Sequence, residues 1–445
     1  MKKIVFGVLF LGSLVYGQES RVLTLSEAIS YALEHKADAE KARLNIQKGD
    51  AQIAEVKANA YPKLTFNSST AYNPLLQQTV LPGEMFGLPG QKVKVAFGQK
   101  WTSMNQVQLT QMLFSQAVFT GLKAARSTKE FYLINEQLTQ EQIIEKVANA
   151  YYQVYQAEQM LANAQSNLTI TDQTIKIIGG LYEAGLAKKI DYDRTVVAKN
   201  NVESGVQQYR NAVLLSENAL KFIIGMPMEQ EIELPRESFD PMVLLEETAS
   251  PGERTELKVL HKQLELLEWQ KKASEAEYYP TVALAANYGW LGQGKRFPFT
   301  NGTDNGVFWS DMASIGLSIS VPIFNGFSTR SKIENNKIEI SKAQADLRDT
   351  ELALDMAYKN ATTQLENNRV TIGMQERNVK LAEEVLANTR SNYQYGLATL
   401  NDILDAERDL TESKNNLTTA KLNYKLAEIE LLKSQGKLKT LNENN

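Results

Sequence analysis

The same short motifs recur in the same order in the two halves of this chain, and that duplication constrains its fold more than any single segment does. Ala60-Tyr61-Pro62-Lys63-Leu64 returns as Tyr278-Tyr279-Pro280-Thr281-Val282, an offset of 218. Met112-Leu113-Phe114 returns as Pro322-Ile323-Phe324, and Tyr182-Glu183-Ala184-Gly185-Leu186 as Tyr393-Gln394-Tyr395-Gly396-Leu397, at offsets of 210 and 211. Order is kept while loop lengths drift, so each half must build one unit. That unit reads as helix, strand pair, very long helix, sharp break and long helix.

The strands are marked by strict alternation. Ala313, Ile315, Leu317, Ile319 and Val321 are apolar, with Ser314, Gly316, Ser318 and Ser320 between them. Val282, Leu284, Ala286, Tyr288 and Trp290 repeat the pattern; so do Leu64, Phe66 and Tyr72, and Val107, Leu109 and Leu113. The four strands are placed at about 61–73, 104–114, 280–291 and 312–323, near the length a tilted membrane strand needs. Loops rich in Gly, Pro and aromatics, Leu81 through Trp101 and Gly292 through Trp309, join each pair. Any one strand fits an ordinary half-buried sheet equally well. Four strands cannot close a barrel alone, so a membrane reading requires several copies to pool them.

The helices are placed at about 116–182, 188–224, 327–393 and 399–435. Gln116 to Leu181 contains no Pro, a helix of roughly 100 Å at 1.5 Å per residue. Heptad seams run through these segments: Val147, Val154, Leu161, Leu168 and Ile175; Tyr358, Leu365, Ile372, Val379, Leu386 and Tyr393; Ile403, Leu410, Leu417, Tyr424 and Leu431. Such spacing predicts coiled-coil packing. The first repeat spans 18–224 and the second 253–436. A Pro-rich acidic connector at 225–252 lies between them, and 437–445 form a tail. Ser250-Pro251-Gly252-Glu253 predicts a helix restart.

The N-terminus reads as a secretory signal over 1–17, with Lys2 and Lys3 ahead of an apolar Ile4 to Val15 and a cleavage site at Val15-Tyr16-Gly17. No later run is long enough for a membrane helix. Cysteine is absent, which excludes disulfides, thiolate metal sites and a cysteine nucleophile. The formal charge is −4, so no basic surplus points to nucleic acid. His35 and His261 are the only histidines; both read as helix-surface residues among charges, and no nucleophile, phosphate loop or metal cluster stands out. The reading is not an enzyme, with no cofactor and no metal. Two classes stay open on these residues, an export duct and a periplasmic coiled-coil adaptor or scaffold.

The ordered motifs resemble the TolC family of outer-membrane efflux proteins over nearly the whole chain. The Tyr-Pro lead-in to each strand pair, the Phe114 and Phe324 exits and the two Tyr-x-x-Gly-Leu turns carry the resemblance. Its most specific stretch is Tyr393-Gln-Tyr-Gly396-Leu-Ala-Thr-Leu-Asn-Asp402-Ile-Leu-Asp405-Ala406, similar to the family's periplasmic-tip segment. The resemblance implies a mostly α fold with membrane β: a homotrimer whose twelve-stranded β-barrel sits in outer-membrane lipid and continues as a helical periplasmic barrel. It implies passive export, with an inner-membrane pump and a periplasmic adaptor protein as partners.

The resemblance also assigns sites. Asp402 and Asp405 match the family's constriction aspartates, where gathered like charges raise carboxyl pKa values and favour cations. Tyr393 and Asp191 match the latch between inner and outer helix pairs; the latch Arg expected after the second turn is Ala398 here, with Lys188 and Lys189 as candidate substitutes. Gly185-Leu186 and Gly396-Leu397 read first as helix C-caps with a hydrophobic contact, and beyond that as adaptor-docking tips. Trp101, Trp290 and Trp309 are candidate interface anchors.

Overall fold

The computed structural model describes residues 21–235, 254–299 and 306–443. The signal segment, most of the connector and the Ser250–Glu253 restart lie outside these. Eight helices are described: α1 Leu25–His35, α2 Ala37–Ala58, α3 Gln116–Glu183, α4 Lys189–Ile224, α5 Thr255–Glu275, α6 Ser328–Gln394, α7 Leu400–Ser434 and α8 Thr440–Glu443. The strands are β1 Arg21–Val22, β2 Lys63–Tyr72, β3 Gln78–Pro82, β4 Lys92–Ala96, β5 Trp101–Ser115, β6 Ile232–Glu233, β7 Thr281–Gly294 and β8 Val307–Ser320. They divide into two compact units that cut across the repeats, each drawing on both halves of the sequence.

One unit, Ile46–Phe131 with His261–Ala345, holds an antiparallel sheet in the order β2-β5-β7-β8. The central β5–β7 pairing joins strands from different repeats, so a repeat is not a domain. Alternation is kept across the four strands except at a bulge between Met112 and Phe114 of β5. Leu64 lies opposite Leu109, Leu109 opposite Ala286, and Ala286 opposite Ile315, all on one face. The other face carries Thr65 opposite Gln108, Gln108 opposite Asn287, and Asn287 opposite Ser314. The apolar face is bare: Ile315 is 80% exposed and Leu317 58%.

Strand limits differ from the sequence expectation where glycine and proline mislead. β7 runs on through Gly292 and Gly294, because these glycines serve close approach rather than a break. A Cβ on Gly292 would stand 2.8 Å from the Trp309 ring, and one on Gly294 2.5 Å from the Gly306 carbonyl oxygen. β8 starts earlier, at Val307, and stops at Ser320 ahead of Pro322, which has no N–H for a ladder. The segment from Leu81 to Trp101 is not a plain loop: β3 and β4 pair within it as an antiparallel hairpin.

Below the strands the helices follow the same order. Lys129 of α3 pairs with Asp50 of α2 at 2.6 Å, and Ser127 of α3 donates to Glu265 of α5 at 2.9 Å. Asn336 of α6 donates to Ser274 of α5 at 2.9 Å.

The other unit comprises Met1–Asn45, Tyr132–Leu260 and Asp346–Asn445. Its core gathers Ile29 of α1, Ile144, Val147 and Val154 of α3, Leu220 and Ile224 of α4, and Ile429 and Leu432 of α7. A parallel β1–β6 pair, unmarked by any alternation, ties its ends. The 437–443 segment is no free tail: Leu438 and Leu441 are buried in the same core. The first heptad seam changes hands along α3. Val147 and Val154 are fully buried, but Leu161, Leu168 and Ile175 are half-buried while Ala157, Ala164, Thr171 and Ile178 lie deep. A straight helix drifts about 20° per heptad, enough to pass the deep position to a neighbouring row. The second and third seams do meet: Ile372 packs with Ala420 and Tyr424, and Leu386 with Ile403 and Leu410.

The two sheet faces make opposite demands on one residue type. Arg at Leu317, on the apolar face, is expected to cost about 2–4 kcal/mol at a lipid midplane. Arg at Ser318, on the polar face, is expected to be tolerated. Yields of membrane-extracted Leu317→Arg and Ser318→Arg protein measure this, and equal yields would mean that neither face meets lipid.

Candidate functional site

The two tip turns are built identically. Gly185 closes α3 at φ +74° and Gly396 closes α6 at φ +75°, a region open to glycine at little cost. Leu186 N–H donates to the Leu181 carbonyl and Leu397 N–H to the Asn392 carbonyl, each at 2.8 Å, the six-to-one bond of a Schellman cap. Leu186 is 77% and Leu397 78% exposed, so each turn presents a bare leucine.

The helices that leave the turns differ. Thr399 caps α7 with its side chain, and Asp402 completes a capping box: its carboxylate accepts the Thr399 N–H at 2.6 Å and the Thr399 hydroxyl at 2.8 Å. These bonds hold the Asp402 carboxyl below its ordinary pKa. Within one chain the shift is therefore opposite to that expected from crowding, because hydrogen bonds to the charged form dominate at an exposed site. Asp405, one turn on and exposed, pairs with Arg408 at 3.1 Å. At the matching start of α4, Lys188 offers no side-chain cap.

Tyr393 is half-buried, and its phenol is raised by burial and then by the charge of Asp191. The two are neighbours, yet among the described residues no hydrogen bond joins them. Arg194 of α4 instead reaches Asn401 of α7 at 3.3 Å. Tyr192 stacks on Tyr182 at 5.7 Å, over the space left by Gly179.

The strongest polar joint in this region involves residues that sequence reasoning missed. Glu407 of α7 has a side chain only 5% exposed. It accepts from Arg390 of α6 at 2.9 Å, from Thr171 of α3 at 3.2 Å and from Thr174 of α3 at 2.5 Å. The Arg390 guanidinium also donates to the Ile170 carbonyl at 3.0 Å and to Thr174 at 3.0 Å. Three helices thus meet at one buried ion pair. The available signal was polarity at the wrong place: Thr171 falls in the deep row of α3 with Ala157, Ala164 and Ile178, and Glu407 directly follows Ala406, which packs with Ile403 and Leu410.

At the far end of the strands, rings form a chain: Tyr72–Trp101 at 4.9 Å, Trp101–Phe297 at 5.1 Å, Phe297–Phe299 at 5.8 Å and Phe299–Trp309 at 5.9 Å. Trp290 lies apart, stacked on Phe66 at 6.0 Å. His35 stacks on Tyr31 at 4.1 Å. Among the described residues, no cluster of acids and histidines is placed to hold a metal ion, and no helix is long and apolar enough to cross a membrane.

Known proteins share this build. The outer membrane efflux protein family model matches residues 28–226 and 251–437. Outer membrane efflux protein BepC of Brucella suis biovar 1 (strain 1330) is 22% identical over 97% of this chain and 89% of its own. Outer membrane protein TolC of Escherichia coli (strain K12) is 23% identical over 84% and 76%. The crystal structure of the outer membrane protein VceC from Vibrio cholerae superposes with a TM-score of 0.72 at 19% identity, covering 93% of this chain and 96% of that one. Family, sheet and paired coils agree: the chain belongs to the outer membrane efflux protein family, as an outer-membrane channel subunit with a helical periplasmic domain.

Proposed function

We propose that three copies pool their strands into a twelve-stranded barrel, and that the chain serves as the passive exit duct of a tripartite efflux system. An inner-membrane pump and a periplasmic adaptor deliver the cargo. The observation that carries this reading is the four-stranded sheet itself, with a bare apolar face and with β2 and β8 as edges that, among the described residues, lack a partner strand. Lipid tolerates no open edge, so copies must supply each other's neighbours. A periplasmic scaffold would have no use for that face.

In this reading the exposed Leu186 and Leu397 are the adaptor's footholds, and Asp402 and Asp405 of three copies ring the neck. Arg390 takes the part of the arginine missing at Ala398, holding α6 to α3 through Glu407, Thr171 and Thr174. Asp191 and Tyr393 support the same closure from the side.

Three outcomes are expected. Leu186→Asp with Leu397→Asp leaves assembled protein in the membrane and abolishes export in a drug-susceptibility assay; surviving export places docking elsewhere.

Glu407→Ala strands the Arg390 charge, and removing one partner of a buried pair costs about 3–5 kcal/mol. It should lower thermal stability and raise closed-state conductance in planar bilayers. Arg390→Ala/Glu407→Ala should cost less than the sum of the two single changes. Wild-type conductance in every variant would remove Arg390 from the latch.

At the neck, Asp402→Asn with Asp405→Asn is expected to reduce cation preference and divalent block, while Asp409→Asn changes neither. The pH sense follows from the depressed Asp402 carboxyl. Its folded-state pKa is below its unfolded value, so the cap's stabilisation is full above the unfolded value. It is lost only as pH falls through the depressed one. Cation preference should therefore persist through mild acid and fade in strong acid. Loss of selectivity already in the mildly acidic range would mean that crowding at the neck outweighs the Thr399 cap.

A further inference from the structure

Between α3 and α5, just below the strands, lies a cavity of about 270 Å³ lined by Gln116, Phe119, Thr120, Lys123, Trp269, Lys272, Glu275, Ala276 and Tyr279. The ammonium groups of Lys272 and Lys123 stand 4.3 and 5.8 Å from the centre of one indole ring, that of Trp269. Neighbouring lysines are satisfied differently: Lys262 pairs with Glu130 at 2.7 Å, and Lys271 with Glu268 at 2.9 Å. Lys123 and Lys272 have no carboxylate within ion-pair distance among the described residues. Two like charges held over one ring repel each other, and an anion between them would relieve that.

The position of the cavity says which anion. Phe119 on its wall lies 6.0 Å from Phe114, ring to ring. Phe114 stands opposite Val282 on the apolar face of the sheet. One wall of the cavity is therefore continuous, through Phe119 and Phe114, with the apolar face of the sheet. Lys123 is seven residues beyond Gln116, the first residue of α3, or about 10 Å along the helix. A headgroup layer of about 5–8 Å flanks a hydrocarbon core of about 30 Å, and a helical lysine leans back toward the helix N-terminus, so the Lys123 side chain reaches that layer. Tyr279, Trp269 and Phe119 are the amphipathic and apolar rings expected at that boundary. Glu275, half-buried on the wall, adds a carboxylate to the lining without forming an ion pair with either lysine among the described residues.

We propose that this cavity binds the headgroup of an amine-bearing glycerophospholipid from the periplasmic leaflet. The phosphate lies between Lys123 and Lys272, within reach of the Thr120 hydroxyl and the Gln116 amide. The ammonium group turns to Glu275, and the acyl chains run up over Phe119 and Phe114 onto the apolar face. Each protomer carries one such site away from its sheet edges, so the site is complete within a single chain. The inference rests on the outer-membrane placement of the sheet; binding measured in detergent does not depend on how the duct works.

The test is native mass spectrometry of the full-length protein, delipidated in a phosphorus-free detergent and titrated with phosphatidylethanolamine, phosphatidylglycerol or diacylglycerol. Phosphatidylethanolamine should bind at one molecule per chain and diacylglycerol should not. Lys123→Gln with Lys272→Gln should weaken binding about 30-fold, the equivalent of roughly 1 kcal/mol per basic residue at a membrane surface. Lys337→Gln with Lys342→Gln, which removes the same charge from lysines paired at 3.4 and 2.7 Å with Glu334 and Glu339, should leave it unchanged. Should the cavity variant fail to assemble, salt titration of the wild type decides, since headgroup binding through two lysines must weaken as salt rises. Equal retention of diacylglycerol, or binding indifferent to both salt and the lysine pair, overturns the proposal. Phosphatidylglycerol binding as tightly as phosphatidylethanolamine, in the wild type and in Glu275→Gln alike, overturns the role of Glu275.

Discussion

Everything in this chain depends on a backbone requirement. In lipid every N–H and C=O must find a partner within the protein, and a four-stranded sheet leaves two edges that cannot. The central β5–β7 pairing joins the two repeats, so the open edges are β2 from the first half and β8 from the second. That choice sets the helix order beneath. α2 meets α3, α3 meets α5 and α5 meets α6, through contacts such as Lys129–Asp50, Ser127–Glu265 and Asn336–Ser274. The compact units consequently cross the repeats, and neither half could fold as a separate domain.

The duplication fixes geometry while leaving chemistry free. Gly185 and Gly396 make the same left-handed cap with the same bond pattern. One turn later the copies part. Thr399 and Asp402 cap α7 reciprocally, whereas α4 begins at Lys188 with no side-chain cap. Asp405 has an arginine partner in its own helix, while Arg194, at the equivalent place in the first copy, reaches across to Asn401 of the second. Backbone turns tolerate few substitutions, because only glycine enters the left-handed region cheaply. Surface charges a few residues away face no such restriction: the first copy keeps an acid at Asp191, the counterpart of Asp402, but has Arg194 where the second has Asp405.

The same distinction governs what could be read in advance. Period-two alternation found all four long strands, because a one-residue slip would move Leu317 and its neighbours to the wrong face. Proline-free heptad stretches found the long helices. Reading failed where a residue served a neighbour rather than its own segment. Gly292 and Gly294 looked like breakers, but they make room for Trp309 and Gly306. The first seam was followed too far down α3 because the drift of a straight helix is invisible in spacing alone. The site was legible in its turns and acids and illegible in its joint: Arg390, Thr171, Thr174 and Glu407 are far apart in sequence, and nothing local ties them together. The Lys123–Trp269–Lys272 arrangement was hidden for the same reason, since only folding brings α3 beside α5.

A buried carboxylate is a costly way to fasten helices, which makes Glu407 informative. Well-packed apolar residues at that level would hold α3, α6 and α7 at least as firmly, because desolvating an ion pair cancels much of its attraction. What the ion pair adds is interdependence. Glu407 accepts from three side chains, and Arg390 serves a carbonyl and a hydroxyl as well as the carboxylate. If α6 moves away from α3, the bonds from Arg390 to the Ile170 carbonyl and to Thr174 break together, and water must replace them. An apolar seam yields by degrees as its members slide. A shared buried charge is closer to all-or-none, since its bonds are made together or replaced together by water. On the proposed reading, such a joint suits a tip that opens only when a partner engages Leu186 and Leu397.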